Sequence, residues 1–149
     1  MIGSIRHIGI VTPDMDASRN FYSKYLGFFT EKEALEGGRY IETLLGVKNA
    51  SIKTVKMRTD SSLVQIELIY YFQGEVVKNG SFINRIGPSH FAMSVGSIDE
   101  TYALMKSDGV HFISSPVVSP DGYAKVAFCK SPEGTFVELV ELLNENENL

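Results

Sequence analysis

Four residues of this chain have the types and spacing for divalent-metal chemistry: His7, Glu67, His90 and Glu138. Each sits in a stretch of alternating character. In RHIGIVT (6–12), His7, Gly9 and Val11 take one face, with Ile8 and Ile10 on the other. In SHFAMSV (89–95), His90, Ala92 and Ser94 oppose Phe91, Met93 and Val95. LVQIELIYY (63–71) sets Gln65, Glu67 and Ile69 against Ile66, Leu68 and Tyr70, and TFVELVEL (135–142) sets Phe136, Glu138 and Val140 against Val137 and Leu139. A period of two marks half-buried β-strands, and all four candidates face away from the bulky apolar side. Two neutral imidazoles and two carboxylates make a mixed N/O set for a divalent ion. They leave positions on a six-coordinate metal for water or substrate. Two plainer readings stand beside this one: polar side chains on a wet sheet face, and structural His–Glu pairs without a metal.

The elements that must position these residues repeat. Each His-bearing strand runs into an acidic helix start, at Asp16 after His7 and at Asp99 after His90. Phe21, Tyr22, Tyr25 and Leu26 have helical spacing, as do Ile98, Tyr102 and Met105. Gly27 and Gly109 are expected stops. Each half ends on its Glu-bearing strand. The expected elements are strand 4–11, helix 15–26 and strands 28–34, 52–59 and 63–71. After a connection at 72–87 come strand 88–95, helix 98–108 and strands 110–114, 124–130 and 135–142. SPEG (131–134) is a turn closing the last hairpin. Each half is thus βαβββ. The first half is the longer, and its surplus falls in EGGRYIETLLGVKNAS (36–51), a loop with a short helix. The expected fold class is α+β, with paired βαβββ modules forming a cupped mixed β-sheet around a metal site. Gly9 and Ala92 keep the hollow roomy.

The 149 residues suit a single domain, with modules 4–71 and 88–142 and a polar tail at 143–149. A net charge of −4 argues against nonspecific nucleic-acid binding, which needs a basic surface. The lone cysteine, Cys129, excludes an internal disulfide and reads as an apolar filler. No apolar run is long enough for a signal peptide or a membrane span, so a cytoplasmic protein without membrane partners is expected.

IRHIGIVTPDMDASRNFYSKYLGF (5–28), VQIELIYY (64–71), SHFAMSV and the SPEGTFVELVEL ending (131–142) together resemble the vicinal oxygen chelate superfamily. That superfamily joins glyoxalases, bleomycin-resistance proteins and dioxygenases, and the resemblance is nearest to glyoxalase I-like lyases and methylmalonyl-CoA epimerase. It covers about residues 4–142. It implies that the family's metal positions fall on His7, Glu67, His90 and Glu138, with Ni, Co, Zn or Mn as the ion. It further implies a lyase or isomerase that removes a proton next to a carbonyl and stabilises an enediolate or enolate. Glu138 or Glu67 is then the base, with Glu138 favoured. The implied substrate is a 2-oxo or thioester-type small molecule, and the implied assembly a homodimer. The alternatives are an Fe(II)-dependent extradiol-type dioxygenase and a metal-free small-molecule-binding resistance protein.

Other residues are weaker candidates. Glu42, in the longer segment, is a possible second acid/base, set against a solvated helix residue. His111 has no counterpart in the first half and reads as structural or exposed. Lys56 is one of several cations, with Arg6, Arg19, Arg39 and Arg85, that could meet an anionic substrate group. Tyr70, Tyr71 and Phe72 could line a pocket or cover a dimer seam.

Overall fold

The computed structural model describes residues 3–78 and 80–143. The expected polar tail therefore lies, apart from Leu143, outside the described residues. The chain divides into two compact units, Met1–Gly80 and Ser81–Leu149.

In the first unit, β1 (His7–Val11) leads to α1 (Met15–Leu26), followed by β2 (Phe29–Gly37), α2 (Gly38–Leu45), β3 (Ser51–Arg58) and β4 (Gln65–Gln73). The helix α1 begins where Asp14 accepts a hydrogen bond from the Ala17 amide at 3.0 Å, satisfying a donor that the first turn leaves free. It ends at Gly27, whose φ of 69° is a left-handed cap that a residue without Cβ adopts freely. Phe21, Tyr22 and Leu26 form its buried stripe. They share the core with Ile10, Val55, Met57, Ile66 and Leu68, the apolar-face residues of β1, β3 and β4. Each such burial contributes about 1.5–3 kcal/mol. The sheet order is β1-β4-β3-β2, with β1 parallel to β4 and the other pairs antiparallel. On the α1 face, Arg19 and Lys53 share the Glu33 carboxylate, each at 2.8 Å. The hydrogen bond from Lys53, with the Arg19 charge beside it, holds that carboxyl below its ordinary range.

The short helix α2 lies on the other face. Its Ile41 packs with Ala50 and Ile52, and with Val47, Ile69 and Tyr71. Ile52, Ile69 and Tyr71 are on the sheet face away from α1, so α2 covers one end of the face that carries His7 and Glu67.

The second unit repeats the plan: β5 (His90–Ser94), α3 (Ile98–Ser107), β6 (His111–Phe112), β7 (Val117–Val118), β8 (Ala124–Lys130) and β9 (Phe136–Leu142). The sheet order is β5-β9-β8-β6, with β7 also on β8. Ile98 and Met105 of α3 are buried, as are Ala127, Cys129, Val137 and Leu139. Burial pushes the Cys129 thiol up to about 12, so it is a filler rather than a nucleophile.

Both units are open mixed sheets in βαβββ order, as expected. The differences are local. Strand 28–34 runs on to Gly37, into the longer segment. Strand 110–114 shrinks to two residues, with a second two-residue strand after Pro116. Pro116, which has no N–H for a ladder, lies just before that second strand and beyond the expected one. No helix among the described residues is long and apolar enough to cross a membrane.

Candidate functional site

Each unit holds one histidine–glutamate pair, built the same way. On β1 and β4, His7 stands opposite Gln65 and Gly9 opposite Glu67. On β5 and β9, His90 stands opposite Phe136 and Ala92 opposite Glu138. Each glutamate therefore lies beside a residue with little or no side chain and leans diagonally toward its histidine. His7 Nε2 is 3.1 Å from Glu67 Oε2, and His90 Nε2 is 3.1 Å from Glu138 Oε2. Both imidazoles are about one-third exposed and both carboxylates less so. A Cβ at Gly9 would meet Ile69 Cδ1 at 3.7 Å, an ordinary contact. Room beside the carboxylate thus needs a small residue, not glycine itself, and Ala92 serves in the second unit. Among the described residues, neither unit by itself gathers three or more His, Cys, Asp or Glu side chains in a metal-holding group.

The surroundings of the two pairs differ. Lys56 stands opposite Glu67 across β3 and β4, with Nζ 3.9 Å from Oε1. The corresponding neighbour of Glu138 across β8 and β9 is Phe128. The Phe128 ring meets the His90 ring edge-on, with centroids 4.9 Å apart.

His90 is also oriented from behind. The Ser89 hydroxyl donates to the Ile83 carbonyl at 2.9 Å, and the same oxygen is 3.0 Å from His90 Nδ1. Its proton committed, that oxygen accepts from Nδ1–H. This tautomer leaves the Nε2 lone pair facing the Glu138 carboxylate. The 3.1 Å contact is met either by a proton on Nε2 that the carboxylate accepts or by a cation that both atoms face. Sequence reasoning passed over Ser89 because its partner Ile83 carries no polar side chain to mark it.

The weaker candidates are placed elsewhere. Glu42 on α2 accepts from the Asn49 amide at 2.7 Å and ties down the loop after the helix. It lines a depression of about 640 Å³ with Gly37, Asn49, Gln73 and Gly74, beyond the His7–Glu67 pair and without either residue in its lining. His111 is exposed on β6. The aromatic run of β4 splits: Tyr71 packs with the α2 cluster, whereas Tyr70 and Phe72 lie with Pro13 and Met15 of the α1 side.

Comparison with known proteins adds the lineage. The fold is similar to the crystal structure of a glyoxalase family protein from Bacillus cereus, with a TM-score of 0.87, 19% identity and coverage of 96% of each chain. It is similar to the trypanothione-dependent glyoxalase I of Leishmania major, with a TM-score of 0.66 and 21% identity over 94% of this chain and 87% of that one. It is also similar to an antibiotic-binding protein from Streptomyces sp. CB03234, with a TM-score of 0.60 and 15% identity over 95% and 97%. At these identities the likeness establishes the fold alone. No curated protein matches the chain. The family model for the Glyoxalase/Bleomycin resistance protein/Dioxygenase superfamily matches residues 4–139. With that match spanning nearly all of both βαβββ units, the chain belongs to the Glyoxalase/Bleomycin resistance protein/Dioxygenase superfamily.

Proposed function

We propose that His7, Glu67, His90 and Glu138 together hold one divalent metal ion, and that the protein is a glyoxalase-type lyase or isomerase. The observation that carries this reading is the duplication of one His–Glu pair, at the same register and the same 3.1 Å separation, in two units of different sequence. A structural ion pair has no need to recur so. Ni, Co, Zn and Mn suit the donor set, and Fe(II) would suit the dioxygenase alternative. When bound, the ion supplies a Lewis acid for two substrate oxygens.

The chain's own residues divide the remaining work. Glu138 takes the proton from the carbon next to the carbonyl. Its cross-strand neighbour is Phe128, whereas the Lys56 ammonium faces Glu67. The less compensated carboxylate is the better proton acceptor. Glu67 stays in the ligand set, and Ser89 fixes the His90 tautomer. Small residues at Gly9 and Ala92 leave space for a 2-oxo or thioester-type substrate. A homodimer in the cytoplasm completes the reading.

Metal titration is the test. The metal-free protein should take up about one Ni²⁺ or Co²⁺ per chain, and the joint substitutions His7→Ala and His90→Ala should abolish uptake. Tight binding that survives both would remove the four-residue site. Wild-type protein that takes up no metal would favour a metal-free small-molecule-binding protein; the Streptomyces protein of similar fold is an antibiotic-binding protein. Ser89→Ala should weaken metal binding by roughly tenfold or more, because it frees the imidazole to rotate and change tautomer. Calorimetry on the folded variant would read this, and unchanged affinity would show that Ser89 plays no orienting part.

A further inference from the structure

Strand register places two more charged residues in line with Glu67. Gly9 stands opposite Glu67, Glu67 opposite Lys56, and Lys56 opposite Lys32. The four form one row across all four strands, on the face away from α1. Two lysines directly opposite one another destabilise a sheet. Lys32 has no ion-pair partner among the described residues, and Lys56 meets only the far side of a carboxylate already engaged by His7. The other cations on the strands of this unit are matched: Lys53 shares Glu33 with Arg19 of α1, and Arg58 reaches Glu31 at 3.1 Å and Asp60 at 3.7 Å. Within the sheet, the unmatched positive charge thus falls in the row that holds Glu67. In the second unit the equivalent row reads Ala92, Glu138 and Phe128. One frame carries cations in the first half and an aromatic ring in the second.

We propose that Lys32 and Lys56 receive a carboxylate of the substrate. The proposal deepens the metal-dependent reading above and rests on it for the place of the chelating oxygens. Cross-strand neighbours have Cβ atoms about 4.5–5.5 Å apart, so one ammonium can donate to each carboxylate oxygen. Charge balance fits. With a divalent ion in place, two glutamates face that ion and two ammoniums, leaving two positive charges over. A substrate carboxylate neutralises one. Proton transfer to Glu138 leaves the net charge unchanged, so one positive charge remains to stabilise the substrate oxygen on which negative charge develops.

Two hydroxamates of equal length provide the test, because both chelate metal through vicinal oxygens. Succinic monohydroxamic acid ends in a carboxylate and butyrohydroxamic acid ends in a methyl group. On the Ni²⁺-loaded full chain, calorimetry should find the carboxylate probe bound about tenfold more tightly. Lys32→Met and Lys56→Met should each remove most of that preference, read as the ratio of the two affinities in the same variant. Lys32→Arg should retain it. Equal affinity for the two probes in the wild type, or a preference that survives Lys32→Met combined with Lys56→Met, would overturn the proposal. Failure of the metal reading looks different: Ni²⁺ is not taken up and neither hydroxamate binds. The metal-free chain is then titrated with succinate. Binding lost in the two methionine variants supports the lysine pair, and wild-type protein that does not bind succinate overturns it.

Discussion

Replacing Glu138 with glutamine is expected to slow proton abstraction by about 10²- to 10⁴-fold, the usual worth of a positioned base. Glutamine keeps the size and a coordinating oxygen but cannot accept the proton. The experiment uses Ni²⁺-, Co²⁺- and Mn²⁺-loaded protein with methylglyoxal hemithioacetals and methylmalonyl-CoA as trial substrates. It follows deuterium entering from D₂O at the carbon next to the carbonyl. Excess metal offsets any weakening of the ligand set. Glu67→Gln, tested alongside, should reduce metal affinity more than it reduces the rate at metal saturation. The asymmetry follows from the neighbours: Lys56 beside Glu67 and Phe128 beside Glu138. If Glu138→Gln turns over at the wild-type rate while Glu67→Gln does not, the two roles are exchanged.

The second large effect concerns the scaffold. Leu68 and Leu139 follow the two glutamates directly, point to the opposite face of their strands and are fully buried. Truncating either to alanine should cost about 2–5 kcal/mol through lost burial and the cavity left behind. A domain's whole stability is about 5–15 kcal/mol, so this is a large fraction. Urea unfolding of Leu68→Ala and Leu139→Ala would measure it. Limited proteolysis would then report which unit opens first: cleavage within Met1–Gly80 for Leu68→Ala, and within Ser81–Leu149 for Leu139→Ala. A midpoint shift near zero would mean the neighbouring side chains collapse into the space.

Much of this arrangement was legible in the order of residues. Alternation in RHIGIVT, SHFAMSV, VQIELIYY and TFVELVEL assigned each His and Glu to the face opposite the apolar side, because side-chain direction in a strand has a period of two. The repeat of a His strand, an acidic helix start and a Glu strand identified the βαβββ plan. Helix α1 was expected at 15–26 and spans Met15–Leu26, since its apolar spacing and Gly27 stop are local signals.

The row Gly9–Glu67–Lys56–Lys32 was not legible, although Lys56 was among the cations considered. Its cause is register. A bulge between Thr30 and Lys32 sets which of Lys32 and Glu33 faces Lys56, and a slip of one residue would exchange them. Nothing in TEKEAL selects between the two faces, because β2 is largely exposed and charged residues alternate along it. The face taken by α2 was equally hidden, since Ile41 could pack on either side until Ile52, Ile69 and Tyr71 defined its seat. The residue order by itself determined the two-module plan and nominated His7, Glu67, His90 and Glu138. Tertiary structure decided the partners of each carboxylate, Lys56 for Glu67 and Phe128 for Glu138. Those partners come from strands far along the chain, and their alignment depends on bulge and pairing geometry that local alternation does not encode.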